Sequence, residues 1–236
     1  MQNVQIRRFA TRAELDVALA ERLESAITAA AAGGGAALML SGGHTPLPAY
    51  RLLASRLAHR GEALRGKLHL LFSDDRYVPA DSEQSNYHAS RPLIDALALP
   101  AEQVLRVRTE LPLEQAALDY EQRLRSLTDQ GVTVTLGMLG LGADGHTASL
   151  FRSSDLERAR GRLALAVSRP DGLSGISVTP QFIAGIARPL FVVAGTGKEQ
   201  AIAGLERRDA QVVAVQAVAA CPQIELWVEQ AAERGA

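Results

Sequence analysis

Short apolar runs alternate with amphipathic stretches along most of this chain. Most of the runs are continuous rather than alternating with polar residues, which is typical of strands buried on both faces of a parallel sheet. They lie at residues 36–40, 68–72, 132–139, 163–167, 190–194, 212–215 and 224–228. Helical patterns separate them, at residues 15–27, 46–56, 87–97, 113–127, 181–187 and 198–205.

Strands that alternate with helices predict an α/β fold in three layers (α/β/α). We expect a mainly parallel, Rossmann-like sheet with helices on both of its faces. The chain has 236 residues, and no stretch between the predicted elements is long enough to be a domain linker. We therefore expect a single domain over residues 1–236.

Charge and composition exclude several classes of partner. The net charge is −1, so no overall field draws the protein to nucleic acid or to a membrane surface. No window approaches the roughly 18 apolar residues of a membrane span, and residues 1–9 lack the apolar core of a signal peptide. The only cysteine is Cys221, which excludes an intrachain disulfide and a CxxC metal site. We expect a cytoplasmic monomer without a metal site, with a homodimer as the alternative.

A turn of small residues follows the run at 36–40. It reads Ser41-Gly42-Gly43-His44-Thr45-Pro46. The glycines allow close backbone approach, the hydroxyls can bond an anion, and Pro46 suits the first turn of a helix. Ser41, Gly42, Gly43 and Thr45 are therefore candidate phosphate ligands. The alternative is an ordinary helix cap with Thr45 at its N-cap position.

A second turn, at residues 140–147, sets a histidine two residues after an aspartate. It reads Gly140-Leu141-Gly142-Ala143-Asp144-Gly145-His146-Thr147, and we expect a helix to start there. A histidine just past a glycine-rich turn is poorly placed for the core, and imidazoles titrate near neutral pH, so His146 is a candidate general base. Asp144, or Asp74 from across the crevice, would fix its tautomer. The alternative is a histidine that caps its own helix.

Three further polar clusters follow predicted strands. Ser73-Asp74-Asp75-Arg76 can orient a sugar hydroxyl, tune a histidine or grip a phosphate, unless it is a solvated turn with a local ion pair. Ser168-Arg169 and Gly195-Thr196-Gly197-Lys198 each add a cation. Lysine at a helix start favours a nearby anion, although most lysines point into water. Because parallel sheets bind ligands at the carboxyl ends of their strands, we expect all five clusters to meet in one crevice.

Taken in order, these motifs resemble those of the 6-phosphogluconolactonases, within the wider sugar-phosphate isomerase and deaminase family. The similarity covers nearly the whole chain. Its most specific stretch is Gly-x-Gly-x-Asp-Gly-His-Thr-Ala-Ser-Leu-Phe at residues 140–151. Further matching positions are 41–46, Tyr50, 74–79, Ser85-Asn86-Tyr87, 195–198 and 224–227.

The resemblance implies hydrolysis of 6-phospho-D-glucono-1,5-lactone to 6-phospho-D-gluconate, in the oxidative pentose phosphate pathway. The lactone is already reactive, so we expect no cofactor. In the mechanism that fits these residues, His146 takes a proton from water and Asp144, with Asp74, orients it. The turn at 41–45, Arg76 and Lys198 would hold the phosphate.

One departure from the family pattern bears on phosphate binding. Gly175 stands where the family usually has the arginine of Arg-Ile-Thr-Leu-Thr, which looks like a phosphate ligand in the wider family. We expect Arg169, in the same loop region, to supply the missing cation. The alternative is that Arg169 is a solvated loop residue and the phosphate has one partner fewer.

Two other functions stay open. A deaminase or isomerase acting on glucosamine 6-phosphate would share the fold. Those enzymes usually have Asp-Glu-Tyr where this chain has residues 74–76, and Phe-Asn-Glu-Pro where it has Ser149-Leu150-Phe151-Arg152. A non-catalytic sugar-phosphate-binding module is supported by the glycine at 175 and opposed by His146.

Overall fold

The computed structural model describes residues 3–33, 35–57 and 67–233. The strands in these ranges are β1 Asn3–Phe9, β2 Ala36–Leu40, β3 Leu68–Phe72, β4 Asp74–Arg76, β5 Val104–Leu105, β6 Thr133–Leu139, β7 Ala164–Ser168, β8 Ser174–Val178, β9 Pro189–Val193 and β10 Gln223–Glu229. The helices are α1 Arg12–Ala32, α2 Leu47–Leu57, α3 Asn86–Ala89, α4 Arg91–Leu97, α5 Leu113–Asp129, α6 Ser153–Arg158, α7 Pro180–Ala184, α8 Glu199–Arg207 and α9 Val213–Ala217.

Seven of these strands form one sheet, in the order β1-β10-β9-β6-β2-β3-β5. Every neighbouring pair in it is parallel. In β2, Ala37 and Met39 face one hydrophobic core, while Ala36, Leu38 and Leu40 face the other. Burial on both faces explains why such strands read as continuous apolar runs, and it confirms the predicted parallel sheet.

Helices cover both faces of the large sheet, as predicted. Helices α1, α2 and α4 pack on one face. Helices α5, α7, α8 and α9 pack on the other. That second face also carries a three-stranded antiparallel sheet in the order β4-β8-β7.

Three local predictions were wrong. The run at 163–167 forms β7, which belongs to the antiparallel sheet and not to the large parallel one. The run at 212–215 lies in helix α9, whose Val213, Ala214, Val215 and Ala217 are all buried. A short helix buried on nearly all sides has the same continuous apolar pattern as a buried strand. No helix starts at the second turn, because residues 147–150 form a bridged turn and α6 begins only at Ser153.

The sequence reasoning missed β1, β4, β5 and β8. Strand β1 is an edge strand, and Phe9 is its only buried residue. An edge strand whose side chains are mostly exposed to solvent has no apolar run that the sequence could show. Strands β4 and β5 have three and two residues, which is too short for a periodic pattern.

The direction of the chain across the large sheet reverses between β2 and β6. From β2 the chain passes through α2 to β3, on one side. From β6 it passes through the small sheet to β9, on the other side. In open α/β sheets, such a reversal leaves a crevice at the carboxyl ends of the two central strands.

Candidate active site

A pocket lies in this crevice, at the carboxyl ends of the neighbouring strands β9, β6, β2 and β3. Its cavity volume is about 280 Å³. The predicted site residues that line it are Ser41, Gly42, Gly43, Thr45, Asp74, Arg76, His146, Arg169 and Lys198. Asp144 contacts His146 rather than lining the pocket. The five polar clusters therefore converge, although Arg169 arrives from the small sheet.

The turn after β2 presents backbone N–H groups to which no described residue offers an acceptor. Gly43 has a φ of +76°, a left-handed conformation that glycine adopts at little cost. No group in the described ranges accepts a hydrogen bond from the N–H of Gly43, His44 or Thr45. Successive free N–H groups just before a helix, here α2, attract anions such as phosphate. The turn therefore has the geometry of an anion site.

Gly42 leaves room for Asn86. A Cβ on residue 42 would overlap the side-chain amide of Asn86. Asn86 Nδ2 donates to the backbone oxygen of Asp74 at 2.9 Å. Its Oδ1 is buried and meets no donor in the described part of the chain. The close approach of α3 to the turn therefore depends on glycine at this position.

His146 is oriented by Asp144. Its Nδ1 lies 2.5 Å from Asp144 Oδ1, and its backbone N–H donates to the same oxygen at 3.2 Å. Burial would raise the pKa of Asp144, but the hydrogen bonds from His146 outweigh burial and hold that pKa below its usual range. An ionised carboxylate only accepts, so Nδ1 is the ring nitrogen that donates to Asp144, and in a neutral ring the lone pair is then on Nε2. The Phe151 ring packs against the imidazole with centroids 4.4 Å apart, so contacts with Asp144 and with Phe151 together fix the position of the ring.

The turn that carries this pair is tightly closed. The Gly142 N–H donates to the His146 backbone oxygen at 2.9 Å, and the Thr147 hydroxyl donates to the Gly140 oxygen at 2.8 Å. A Cβ on residue 142 would overlap both His146 Nδ1 and Asp144 Oδ1. Glycine at 142 is therefore what allows the histidine and the aspartate to meet.

Asp74 lies in the pocket but in a different hydrogen-bond network. Its carboxylate accepts from the Ser149 hydroxyl at 2.6 Å and from the Ser73 hydroxyl at 2.9 Å. No hydrogen bond joins Asp74 to His146 within the described ranges. Of the two aspartates that the sequence offered for orienting the histidine, the one in contact with it is Asp144.

Asp75, next along the chain, anchors the start of α3. Its carboxylate accepts from the backbone N–H groups of Asn86 at 2.6 Å and Tyr87 at 3.2 Å, and from the Ser85 hydroxyl at 3.0 Å. Burial raises the pKa of Asp75 to about 6, against the lowering effect of these hydrogen bonds. By holding the start of α3, Asp75 places Asn86 beside Gly42, in the turn that follows β2.

Lys198 and Arg76 both reach the pocket. Lys198 immediately precedes α8, and its Nζ donates to the Leu141 backbone oxygen at 2.8 Å. Burial lowers the pKa of Lys198, and the charge of Asp144 partly opposes this. Arg76 Nη1 donates to the Gln84 oxygen at 2.8 Å, while its Nε is buried and has no acceptor in the described residues. Each side chain keeps N–H groups that can face an anion.

Arg169 lies against Gly175 at the pocket wall. Its Cδ is 3.2 Å from where a Cβ on residue 175 would be, and 10% of its side chain is exposed. Nη1 donates to the Ser149 hydroxyl at 2.9 Å, and Nη2 donates to Asp171 at 2.8 Å. The guanidinium also stands 5.3 Å from the centroid of the Phe151 ring. It is therefore a fixed part of the pocket and not a solvated loop side chain.

Comparison with known proteins gives a family for this arrangement. A family model described as glucosamine-6-phosphate isomerases/6-phosphogluconolactonase matches residues 10–226. The chain belongs to this family.

Relatives within the family share both sequence and fold with it. The 6-phosphogluconolactonase of Thermotoga maritima is 39% identical over 136 residues, which are 57% of this chain and 57% of that protein. The 6-phosphogluconolactonase of Nostoc sp. is 34% identical over 203 residues, which are 83% of this chain and 82% of that protein. A crystal structure of the Thermotoga maritima protein superposes with a TM-score of 0.81 at 26% identity, covering 96% of this chain and all of that one.

Three residues that shape the pocket of this family member were missed by the sequence reasoning. Asn86 and Ser149 were seen only as parts of family motifs, without a role. Arg12 had no motif at all, although its guanidinium donates to the Thr45 backbone oxygen at 2.6 Å. All three act through residues far away in the chain, so no local spacing could have indicated them.

The described residues contain no group of three or more His, Cys, Asp or Glu side chains that could hold a metal ion. None of the helices in those ranges combines the length and the apolar character needed to cross a membrane.

Proposed function

We propose that this chain hydrolyses 6-phospho-D-glucono-1,5-lactone to 6-phospho-D-gluconate, in the oxidative pentose phosphate pathway. Its curated relatives are named for this activity. The observation that carries the proposal is a base and an anion site in one pocket: His146, oriented through Nδ1, and the free N–H groups of Gly43, His44 and Thr45. Hydrolysis of a phosphorylated lactone needs both.

His146 takes a proton from water at Nε2 as the water oxygen attacks the lactone carbonyl carbon. The resulting imidazolium is stabilised by Asp144, which accepts from Nδ1. When the bond between the carbonyl carbon and the ring oxygen breaks, the same proton passes from Nε2 to the leaving oxygen. The products are a carboxylic acid and a free hydroxyl, so one water is consumed and His146 returns to its starting state.

Binding of the phosphate falls to the turn at 41–45, to Lys198 and to Arg76. Arg169 adds a third cation in place of the arginine that the family usually has at position 175. Its side chain lies in the space above Gly175. After its bonds to Ser149 and Asp171, two of its five N–H groups make no hydrogen bond in the described residues, and Nη1 also stands 3.9 Å from Asp74 Oδ2.

The proposal is tested by acid release from freshly prepared 6-phosphogluconolactone, measured above the spontaneous rate. We expect the purified protein to accelerate hydrolysis. Ammonia release from glucosamine 6-phosphate would instead indicate a deaminase. Saturable binding of 6-phosphogluconate without any turnover would indicate a non-catalytic sugar-phosphate-binding module.

We further propose that residues 1–236 form one domain that acts as a cytoplasmic monomer. Support for one domain comes from the parallel pairing of β1 with β10, since strands from the two ends of the described chain lie in one sheet. Light scattering separates a monomer from a homodimer, and cell fractionation tests the compartment.

A further inference from the structure

Arg12 contacts the turn at residues 41–46 from outside the pocket. It is the first residue of α1, and it does not line the cavity. Its Nη2 donates to the backbone oxygen of Thr45 at 2.6 Å and lies 3.5 Å from that of His44. The turn and Arg12 are more than 30 residues apart in sequence, so this contact exists only in the folded chain.

Asp16 holds the guanidinium in this direction. Arg12 Nε donates to both carboxylate oxygens of Asp16, at 2.8 and 3.0 Å, one helical turn further along α1. The Asp16 side chain is 15% exposed. Because a guanidinium is planar and rigid, fixing Nε also fixes the direction of the Nη2 donors.

The direction of these carbonyl groups determines where the neighbouring N–H groups point. In a trans peptide the carbonyl of one residue and the N–H of the next are antiparallel. A His44 carbonyl that faces Arg12 therefore turns the Thr45 N–H the opposite way, away from α1. The Thr45 carbonyl accepts from Arg12 at 2.6 Å, and this bond fixes the end of the turn that leads into α2. The next residue, Pro46, has no N–H, so the orientation of this peptide group does not affect any N–H donor of the turn.

We infer that Arg12 is a positioning residue for phosphate binding. It holds the turn at residues 41–46 in the orientation that binds phosphate, and it does not touch the substrate. The inference rests on the proposed function, because it assigns Arg12 to the phosphate side of that reaction. Among the described residues, no hydrogen bond or ion pair joins Arg12 to His146 or Asp144, so we expect the chemical step not to depend on Arg12. Its loss weakens the binding of phosphorylated ligands and leaves the hydrolysis of an unphosphorylated lactone as it was.

The test compares Arg12→Ala, Arg12→Lys and Arg125→Ala with the wild type. Arg125 is a matched control, since it also pairs with an acidic residue one helical turn away, Glu121, at 3.3 Å, and is half exposed. For each protein, kcat and KM are measured with 6-phosphogluconolactone and with unphosphorylated gluconolactone. Thermal unfolding of each variant verifies that it is folded.

We expect Arg12→Ala to raise KM for the phosphorylated lactone about three- to tenfold, the effect of one ordinary hydrogen bond. Its kcat, and both constants for the unphosphorylated lactone, stay within about twofold of wild type. Arg12→Lys keeps the charge and an N–H donor group but lacks the rigid fork of the guanidinium, so it retains part of the wild-type affinity. Arg125→Ala behaves as wild type. An unchanged KM in Arg12→Ala, or equal losses on both lactones, would overturn the inference.

A separate measurement keeps this test apart from the test of the proposed function. Binding of 6-phosphogluconate and of gluconate is followed by calorimetry, which needs no turnover. If the wild type binds 6-phosphogluconate but does not accelerate hydrolysis, the proposed function fails while Arg12 is still tested. Arg12→Ala must then weaken the binding of 6-phosphogluconate and not that of gluconate; equal binding by wild type and variant refutes the inference.

Discussion

The side chain of Arg169 fills the space that a side chain at Gly175 would need. A Cβ there would also lie 3.2 Å from the backbone oxygen of Asp75, so a larger residue at 175 requires both neighbours to shift by a few tenths of an ångström. The two positions are linked, because an arginine can occupy this part of the pocket from one or from the other.

Arg169→Ala should raise KM for 6-phosphogluconolactone about tenfold, the effect of one charge-assisted hydrogen bond. Adding Gly175→Arg to Arg169→Ala should restore part of the lost affinity, because the contact with the Arg169 side chain is then removed and a guanidinium returns to this part of the pocket; the Asp75 oxygen, 3.2 Å from the new Cβ, limits the recovery. Steady-state kinetics on the two variants measure both effects. An unchanged KM in Arg169→Ala would show that Arg169 is not a phosphate ligand.

Lys198→Ala and Arg76→Ala should weaken phosphate-dependent binding more than they destabilise the fold. Losing a charge-assisted hydrogen bond costs roughly 1.5–3 kcal/mol, or about 10–150-fold in affinity. Unphosphorylated gluconolactone is the control substrate. If both variants lose as much activity on it as on the phosphorylated lactone, neither residue is a phosphate anchor.

Gly142→Ala should abolish most turnover in a folded protein. The added methyl group takes the place of His146 Nδ1 and Asp144 Oδ1, so the pair must separate. We expect kcat to fall about 100-fold, near the lower limit for loss of a positioned general base. Circular dichroism and thermal unfolding verify the fold.

Gly140→Ala is the matched control for this variant. It lies in the same turn, but a Cβ there meets no atom within 4 Å. Its kcat should stay near that of the wild type. Equal losses of kcat in the two variants would mean that the turn as a whole, and not the contact between histidine and aspartate, is being disturbed.

Asp75 should make the protein less stable as pH rises from about 4 to about 6. Because burial raises the pKa of Asp75 to about 6, the folded protein keeps this proton at pH values where the unfolded chain has released it. Its contribution to stability is therefore complete at low pH and is lost as pH rises through the folded pKa. The loss is at most about 3 kcal/mol, from two pKa units at about 1.4 kcal/mol each.

Urea unfolding of wild type and Asp75→Asn between pH 4 and 7 measures this effect. Asp75→Asn has a constant offset in its free energy of unfolding, because an amide cannot accept all the bonds of the carboxylate. The difference between the two proteins should nevertheless change with pH as described. A difference that is flat across this range would contradict the raised pKa.

The parts of the fold that the sequence predicts are those whose side chains repeat one environment. The run at 36–40 is apolar throughout because both faces of β2 are buried, so it could be recognised without the structure. Edge strand β1 could not be recognised in this way, because most of its side chains are exposed to solvent. The run at 212–215 misled because helix α9 is buried nearly all round, and burial removes the helical period.

The residues of the pocket also divide into those that the sequence predicts and those that it does not. Residues in the turns that follow strands, such as Lys198 and His146, could be placed at the pocket because strand ends of a parallel sheet share one edge. Residues that act across the chain were not. Ser149 bonds Asp74 from 75 positions away, and Arg12 bonds Thr45 from 33 positions away. Such contacts depend on how distant segments of the chain pack together in the fold, and no local pattern encodes them.

If His146 is the general base for hydrolysis of a phosphorylated lactone, removing its imidazole must lower turnover of that lactone. Acid release from fresh 6-phosphogluconolactone is followed for wild type and His146→Ala, against the spontaneous rate. We expect clear acceleration by the wild type and a loss of about 10²–10⁴-fold in kcat for the variant, with the fold intact. A wild type no faster than the spontaneous reaction would contradict the lactonase activity, and a folded variant with near-wild-type turnover would contradict the role of His146.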